Sequence, residues 1–266
     1  LLDAAPHRSD RPRVVVLSPG AASETAFDTS FLSTMLGFPV AEADDLVTSQ
    51  GRVWLRAGQR LEPVDVVLRR VAATMSDPLE LRGDSGLGVP GLIEAARAGQ
   101  VAIANPIGAG VLDNPALLAH LEPIAQALLG EPLLLSSPTT WWCGDPVALS
   151  HAVSHLDRLV IKPIGRGDAP VTYGWELSAP AREGLIARLR AEPWRWCAQE
   201  PLALSTAPVV VPDGLEPRRF VLRAFGVAAG DGYTFLPGGL GRVAGATGEW
   251  TVTSRTGLAK DVWVAA

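Results

Sequence analysis

Three charged residues, Lys162, Glu200 and Arg223, lie within or directly after apolar segments that are typical of β-strands. A cation inside such a segment needs a polar partner, because burying an unpaired charge is costly. A bound nucleotide would supply one: Lys162 and Arg223 would contact phosphates, and Glu200 with its neighbouring backbone would meet an adenine edge. The alternative is three ordinary strands whose cations reach solvent along their aliphatic stems. The residues alone leave both interpretations open.

Three further motifs carry cations close to turns. Arg166 stands between two glycines, in a segment that could close over phosphates or form an ordinary turn. Its glycine spacing fits neither a Walker loop nor a dinucleotide fingerprint. Arg242 follows a glycine-rich turn and could clamp a phosphate or carboxylate, or lie on a hairpin surface. Lys260 and Asp261 could form a simple ion pair at a strand start or reach a site.

Two adjacent arginines, Arg69 and Arg70, end an apolar segment in the first half of the chain. Arginines at the carboxyl end of a parallel strand are placed to bind an acidic substrate. They could equally pair with Asp77 or Asp84 and fasten the loop that follows.

Composition limits the class of protein. The chain has 266 residues, 47% of them hydrophobic and 19% charged, with a net charge of −5. No basic surface is expected, and no segment is long and apolar enough to cross a membrane, so we expect neither nucleic acid nor a membrane as a partner. Two cysteines without a CxxC pattern argue against structural zinc and favour a cytoplasmic protein. The chain starts at Leu1, which favours a fragment of a longer protein.

The order of predicted elements favours an α/β fold. A strand, a helix and another strand open the chain, which is typical of a parallel sheet with sites at its carboxyl edge. We predict a tail over residues 1–12, an α/β substrate-side domain over 13–135, and an α+β nucleotide-binding domain over 136–266. Helices are expected near 23–36, 92–98, 115–129, 145–155 and 180–191, a hairpin over 44–61 around Gln50-Gly51, and later strands near 232–236, 240–244 and 249–254. The first helix should be amphipathic, with Phe27, Phe31, Met35 and Leu36 on its apolar face.

Taken in order, ten motifs resemble the circularly permuted ATP-grasp family, relatives of glutathionylspermidine synthase, and we interpret the chain as the C-terminal half of such a protein. Each motif is weak alone, but the set is specific and covers the chain from Arg13 to Val264. The motifs are Leu17-Ser-Pro-Gly20 with Glu24, Val64–Arg70, Asp77-Pro-Leu79, Asp84–Gly91, Trp141–Asp145, Val160-Ile-Lys-Pro163, Gln199-Glu200, Leu204–Pro208, Pro237–Leu240 with Arg242-Val243, and Lys260-Asp261 with Trp263.

The resemblance implies an ATP-grasp-like fold, a pre-ATP-grasp half followed by a nucleotide-binding half, and ATP-dependent joining of a carboxylate to an amine through an acyl phosphate, with Mg²⁺ as a cofactor. The substrate would be a small molecule or a peptide. The implied ATP-binding residues are Lys162, Arg166, Gln199, Glu200 and Leu202; the implied catalytic residues are Arg223, Arg242 and Lys260; and the implied substrate contacts are Arg69, Arg70, Ser23 and Glu24.

The chain also departs from the family pattern. The acidic and asparagine residues expected to hold Mg²⁺ lie outside this segment, so a preceding segment or a partner would complete the site. Acidic residues of many members are replaced by Ala72-Ala73, a lysine of some by Asn114, and a serine by Ala259. These changes favour a rival hypothesis, a degenerate module that binds nucleotide or a partner without turnover. A third hypothesis, a sugar-nucleotide enzyme, would need a metal-binding pair for which Asp44-Asp45 is a poor candidate.

Overall fold

The computed structural model describes residues 1–6, 11–165, 170–229, 231–252 and 257–264. The chain divides into two compact units, Leu1–His120 and Leu121–Ala266, and each is described by itself. The division falls after His120, N-terminal to residue 135, where the sequence places the domain boundary. Both units mix helices with sheets, as expected for the predicted α/β class.

Unit 1 is built on a parallel sheet. Its described strands and α-helices are, in chain order, β1 (Val14–Leu17), α1 (Ala26–Leu36), β2 (Val40–Ala41), β3 (Leu46–Ser49), β4 (Arg52–Ala57), β5 (Arg60–Pro63), β6 (Val66–Arg69), α2 (Leu92–Arg97) and β7 (Ala102–Ala104). The order β2-β1-β6-β7 makes the parallel sheet. All four residues of β1 are buried, which is typical of a parallel strand covered on both faces. The carboxyl ends of the four strands therefore share one edge.

A second, antiparallel sheet in unit 1 joins β3, β4 and β5. The predicted turn at Gln50-Gly51 is confirmed, and both residues have positive φ, at 53° and 72°. Two consecutive positive φ values fit the type of turn that matches the twist of a tight hairpin. The hairpin that was predicted gains a third strand after a further turn at Gly58.

The helix α1 forms where it was predicted, but its apolar face is not buried. Phe27 is 79% exposed and Met35 is 68% exposed, and Phe31 and Leu36 are exposed as well. The buried residue of the helix is Thr29, whose hydroxyl donates to the Thr25 carbonyl. The helix thus packs through its small polar side, and the apolar face expected from the sequence lies exposed in this chain.

Unit 2 contains two antiparallel sheets. Its described elements are α3 (Leu121–Leu129), β8 (Thr140–Trp142), α4 (Pro146–Ser154), β9 (Val160–Pro163), β10 (Thr172–Tyr173), α5 (Ala179–Ala191), β11 (Trp196–Gln199), β12 (Thr206–Val211), β13 (Gly214–Ala229), β14 (Gly232–Val243) and β15 (Leu258–Trp263). One sheet has the order β10-β9-β11-β8 and the other β12-β13-β14-β15. Helices α4 and α5 pack on the first sheet through Ala152, Leu185 and Leu189, which contact Ile161 and Ala198 in one buried cluster.

Four predicted elements, one helix and three strands, differ from the structure. The helix expected over 115–129 is a 3-10 segment, Pro115–His120, followed by α3. Because α3 begins at Leu121, Pro123 stands in its first turn, where a missing N–H does no harm. The two strands expected near 232–236 and 240–244 are one strand, β14. Of the strand expected at 249–254, the described residues 249–252 form no strand, and the last strand among the described residues is β15. No helix among the described residues is long and apolar enough to span a membrane.

Gly174 is a point where the chain tolerates no side chain. A Cβ added there would lie 1.5 Å from the Leu156 carbonyl oxygen, whereas one at Gly184, inside α5, would meet nothing within 4 Å. We expect Gly174→Ala to lower the free energy of unfolding by about 3 kcal/mol or more, because backbone must move. Gly184→Ala should raise it by about 1 kcal/mol through helix propensity. Urea unfolding of both variants checks this, and equal effects of the two would contradict it.

Candidate functional site

Lys162 lies on β9 with its side chain on the face away from the buried cluster. Side chains alternate along a strand, and Ile161 enters the cluster with α4 and α5, so Val160 and Lys162 point the other way. There they line a cavity of about 320 Å³, which we call the Lys162 cavity. Its lining residues are Val160, Lys162, Val171, Tyr173, Trp175, Gln199, Glu200, Pro201, Leu202, Leu204, Val221, Trp250, Thr251 and Val252.

The ammonium group of Lys162 has a side-chain partner in the neighbouring strand. Its Nζ donates to Oε1 of Gln199 at 2.6 Å, and Gln199 is only 5% exposed. The Nε2 of Gln199 donates to Oγ1 of Thr140 at 2.9 Å. The structure therefore joins Lys162 and Gln199, two of the residues that the sequence assigned to nucleotide binding, and adds Thr140, which it did not identify.

Burial governs the acid–base behaviour of this strand pair. Desolvation lowers the pKa of Lys162, and the nearby Cys197, which stands directly opposite it in the sheet, acts in the reverse direction. The pKa of the Cys197 thiol is raised to about 11, mainly by desolvation and despite the Lys162 charge. Cys143 is shifted to about 12 by desolvation and by its proximity to Cys197. Both thiols are protonated at neutral pH.

The segment Glu200–Leu202, which we call the hinge, offers backbone groups to the Lys162 cavity. The Glu200 amide donates to the Thr139 carbonyl at 3.0 Å, so one of the backbone groups expected to be unpaired has a partner. Across the part of the chain that the structure describes, no backbone hydrogen bond engages the Glu200 carbonyl or the Leu202 amide. An acceptor and a donor two residues apart match the edge of an adenine. Arg166, predicted to cover phosphates, lies outside the described residues.

Aromatic side chains that the sequence did not single out form one wall of the cavity. Ring centroids are 5.3 Å apart between Tyr173 and Trp175, and 5.9 Å apart between Trp175 and Trp250. The guanidinium of Arg219 lies 3.9 Å from the Trp250 ring centroid, a cation–π contact. Its Nη1 is buried and has no hydrogen-bond partner among the described residues. The wall therefore offers stacking surfaces, and Arg219 packs against one of them, the Trp250 ring.

Two of the three predicted catalytic cations reach the face of the second sheet that carries Val221. Arg242 stands directly opposite Val221, and Arg223 is two residues further along β13, so all three side chains share that face. Lys260 stands opposite Gly241, one residue out of step with Arg242, and therefore lies on the other face. Its ammonium donates to the Pro208 carbonyl. The structure brings Arg223 and Arg242 together and leaves Lys260 apart.

In unit 1 the two adjacent arginines have different environments. Arg69 donates from Nε to the Asn105 carbonyl at 2.8 Å and from its other nitrogens to the Val71 and Pro106 carbonyls, and burial lowers its pKa. Arg69 thus fastens the ends of β6 and β7. The Nε of Arg70 is buried and has no hydrogen-bond partner among the residues described. Of the pair, Arg70 is the one available to a ligand.

The sequence left open that Arg69 and Arg70 pair with Asp77 or Asp84. This interpretation is corrected, because both carboxylates have other partners. The Asp77 carboxylate is fully buried and accepts hydrogen bonds from three backbone amides, those of Leu79, Gly91 and Ile93. Asp84 forms an ion pair with Arg82 at 2.7 Å. The Asp77 carboxylate thus holds the loop through backbone amides, without either arginine.

Ser23 and Glu24 follow β1 at the same edge of the sheet as Arg70. Strands β1 and β6 are neighbours, with Leu17 opposite Arg69, so the segments after them emerge side by side. The Ser23 hydroxyl lies 3.0 Å from that of Thr25, and Glu24 is exposed. The predicted substrate contacts therefore share the carboxyl edge of the sheet, although the Arg69 side chain is engaged by backbone carbonyls there.

A metal pair at Asp44-Asp45 is not supported by the geometry. One Asp45 carboxylate oxygen accepts from the Glu42 amide at 2.9 Å and closes a 3-10 turn. In the described ranges there is no group of three or more histidine, cysteine or carboxylate side chains that could hold a metal ion.

A second cavity of unit 2, of about 490 Å³, was missed by the sequence reasoning. It is lined by Trp141, His151, His155, Arg158, Leu159, Glu200 and Pro201. The ring centroid of His151 lies 4.3 Å from the ring centroid of Trp141 and 4.3 Å from that of His155. The spacing of four residues between the histidines, on a predicted helix, was the available signal.

Comparison with protein families and curated proteins gives consistent matches. The model of the family described as circularly permuted ATP-grasp type 2 matches residues 1–244. An uncharacterized protein of Mycobacterium tuberculosis (strain ATCC 25618 / H37Rv) is 44% identical over 264 residues, 99% of this chain and 30% of that protein. An uncharacterized protein of Synechocystis sp. (strain ATCC 27184 / PCC 6803 / Kazusa) is 37% identical over 266 residues, 99% of this chain and 55% of that protein. The chain thus spans about a third to a half of these relatives.

Solved structures with a similar fold are more distant. The ATP-grasp ligase PsnB, complexed with a phosphomimetic variant of minimal precursor, Mg and ADP, is 20% identical with a TM-score of 0.41, over 91% of this chain and 88% of that chain. D-alanyl-alanine synthetase A from Vibrio cholerae O1 biovar eltor str. N16961 is 12% identical with a TM-score of 0.43, over 97% of this chain and 76% of that chain.

The lowered pKa of Lys162 can be measured directly, because the sequence contains only two lysines, Lys162 and Lys260. We expect Lys162 to lose its proton at a lower pH in the folded chain than in the urea-unfolded chain, since burial disfavours the charged form. The unfolded chain then binds more protons between those two pKa values, so stability should rise with pH through that window. NMR titration of ε-¹³C-lysine protein, assigned with Lys260→Arg, measures it. An equal or higher pKa in the folded chain would contradict the expectation.

Proposed function

Since the chain belongs to the circularly permuted ATP-grasp type 2 family, we propose that it is the nucleotide-binding part of an ATP-dependent carboxylate–amine ligase. The observation that carries the proposal is the Lys162 ammonium, which is half-buried at the Lys162 cavity beside the hinge. A buried cation that points into a cavity is suited to an anionic ligand. Because the chain spans only part of its relatives, the activity of the whole protein is part of the proposal.

The adenine is assigned to the hinge end of the cavity. The Glu200 carbonyl would accept from the exocyclic amino group, and the Leu202 amide would donate to a ring nitrogen. Val160 and Val221 would contact the faces of the base, and Trp250 offers a stacking surface. The volume of about 320 Å³ lies at the lower end of the range for small-molecule sites.

The phosphates are assigned to the cations around the cavity. Lys162 supplies a point charge from a rigid strand, and Arg223 and Arg242 lie on the face that carries the cavity residue Val221. The partnerless Nη1 of Arg219 is a fourth donor. Preorganised cations of this kind stabilise charge on a transferring phosphoryl group. Lys260 is left out of this assignment because it lies on the opposite face of its sheet.

The proposed reaction has two steps. A carboxylate oxygen of the acid substrate attacks the γ-phosphorus of ATP, which forms an acyl phosphate and releases ADP. An amine then attacks the acyl carbon, phosphate leaves, and an amide bond results. Mg²⁺ would neutralise phosphate charge when bound. The described residues hold no group of three potential metal ligands, so we assign no metal ligand within this chain.

The acid substrate is proposed to be a small molecule or a peptide with a free carboxylate. Within unit 1, Arg70 is suited to contact such a group, because its buried Nε has no partner among the described residues and arginine binds carboxylates in a bidentate manner. Ser23 and the exposed Glu24 emerge at the same sheet edge and would contact polar parts of the substrate.

Removal of the Lys162 side chain tests the nucleotide assignment. We expect Lys162→Ala to weaken ATP binding at least about tenfold, because the phosphates lose a half-buried cation. The matched control is Arg190→Ala, which removes an exposed cation on α5, outside the lining of the Lys162 cavity. Calorimetric titration with ATP and ADP, with and without Mg²⁺, measures both variants. Equal ATP affinity of Lys162→Ala and the unmodified chain would overturn the assignment.

Ligation and simple binding are separated by an isotope-exchange experiment. Reversible acyl phosphate formation scrambles ¹⁸O between the bridging and non-bridging positions of ATP when an acid substrate is present. We expect scrambling with amino-acid or peptide carboxylates in the absence of an amine. Tight ATP binding without scrambling, in a full-length relative as well as in this chain, would favour the non-catalytic module.

A further inference from the structure

Three polar side chains cross the first sheet of unit 2 from edge to interior in one line. Thr140 on β8 stands directly opposite Gln199 on β11, and Gln199 reaches Lys162 on the next strand, β9. The distances are 2.9 Å from Gln199 Nε2 to Thr140 Oγ1 and 2.6 Å from Lys162 Nζ to Gln199 Oε1. The Thr140 hydroxyl is in turn 2.9 Å from the Pro138 carbonyl. Thr140 and Gln199 are both buried.

The chemistry of the groups fixes the direction of every hydrogen bond in this line. An ammonium can only donate, so the amide of Gln199 must present its oxygen to Lys162. Its NH₂ then faces Thr140 and needs an acceptor, which makes the Thr140 oxygen the acceptor. The Thr140 proton is left to donate to the Pro138 carbonyl, which is acceptor only. Each donor has one acceptor, and reversing the amide would set NH₂ against an ammonium.

We propose that Thr140 and Gln199 are positioning residues, which hold the Lys162 ammonium in place for the nucleotide phosphates. This inference rests on the proposed function and adds a role for two side chains behind the one that meets the ligand. Gln199 takes one of the three ammonium protons and leaves two for the cavity. Thr140 acts only through Gln199. Without the Thr140 acceptor, the buried NH₂ of Gln199 is left unpaired whenever its oxygen faces Lys162, so the conformation that holds the ammonium is destabilised.

The other titratable groups described near Lys162 do not replace Gln199 as its hydrogen-bond acceptor. Cys197 stands opposite Lys162 in the sheet, and Tyr173 and Glu200 are in the cavity lining. Arg223 and Arg242 lie on the face of the second sheet that carries the cavity residue Val221. The Cys197 thiol is protonated at neutral pH, because burial raises its pKa to about 11, and burial likewise raises the pKa of the Tyr173 hydroxyl. Among the described residues, Gln199 is the side chain that accepts a hydrogen bond from Lys162.

The decisive variants are Thr140→Val and Thr140→Ser. Thr140→Val keeps the shape and removes the acceptor, so we expect ATP affinity to fall about tenfold and the Lys162 signal in ε-¹³C-lysine NMR to titrate at lower pH. Thr140→Ser restores the hydroxyl and should restore both quantities. Gln199→Glu should move the Lys162 titration the opposite way, to higher pH, because a carboxylate favours the ammonium. Loss of folding cannot produce opposite shifts in two variants.

The outcomes separate this inference from the proposed function. If Thr140→Val leaves both ATP affinity and the Lys162 titration unchanged, while Lys162→Ala abolishes binding, the positioning role is overturned and the nucleotide site stands. If the unmodified chain binds no ATP, the proposed function is overturned. The positioning of Lys162 for phosphates by Thr140 and Gln199 is then overturned as well. A lowered titration in Thr140→Val, rescued by Thr140→Ser, together with weakened ATP binding, supports the inference.

Discussion

The burial of one ammonium group within a β-sheet is the constraint on which the rest of unit 2 depends. Lys162 stands on a strand with neighbours on both sides, so its side chain projects from a fixed point of the sheet. Desolvation makes the charged form expensive unless polar atoms meet it. The sheet supplies Gln199 on one side and an open cavity on the other, and the fold around both has to keep that cavity open.

The two faces of that sheet have different roles, one in the buried core and one in the candidate site. Behind it, Ile161 of β9 and Ala198 of β11 are fully buried in one cluster with Leu189 of α5, which fixes the backbone of the two strands. In front of it, polar side chains project from the same strands toward the cavity. A site on strands that are packed from behind is held more precisely than one on loops. The same alternation that makes a core on one side therefore makes a polar site on the other.

The sequence revealed the residues that are anomalous where they stand, and it missed those that become important only through pairing. Lys162, Arg223 and Gln199 were found because polar groups in apolar strands demand an explanation. Thr140 and Trp250 look ordinary, since their role depends on which residue lies opposite or across a cavity. Register also decides the face: Lys260 is one step out of phase with Arg242, which no local pattern reveals. The resemblance to the circularly permuted ATP-grasp family was confirmed. The sequence located the apolar face of α1, but it did not reveal that this face lies exposed in this chain.

The two cysteines have a consequence for handling and observing the protein. Cys143 and Cys197 stand in the sheet that carries the Lys162 cavity, both buried, with thiol pKa values raised to about 12 and about 11. At neutral pH only on the order of one Cys197 in ten thousand is thiolate, the form that reacts with alkylating reagents and oxidants. Reaction of these thiols with reagents in the solvent therefore requires local opening of this sheet. The rate at which maleimide or iodoacetamide modifies these two native cysteines therefore reports how often the sheet opens, and no introduced label is needed.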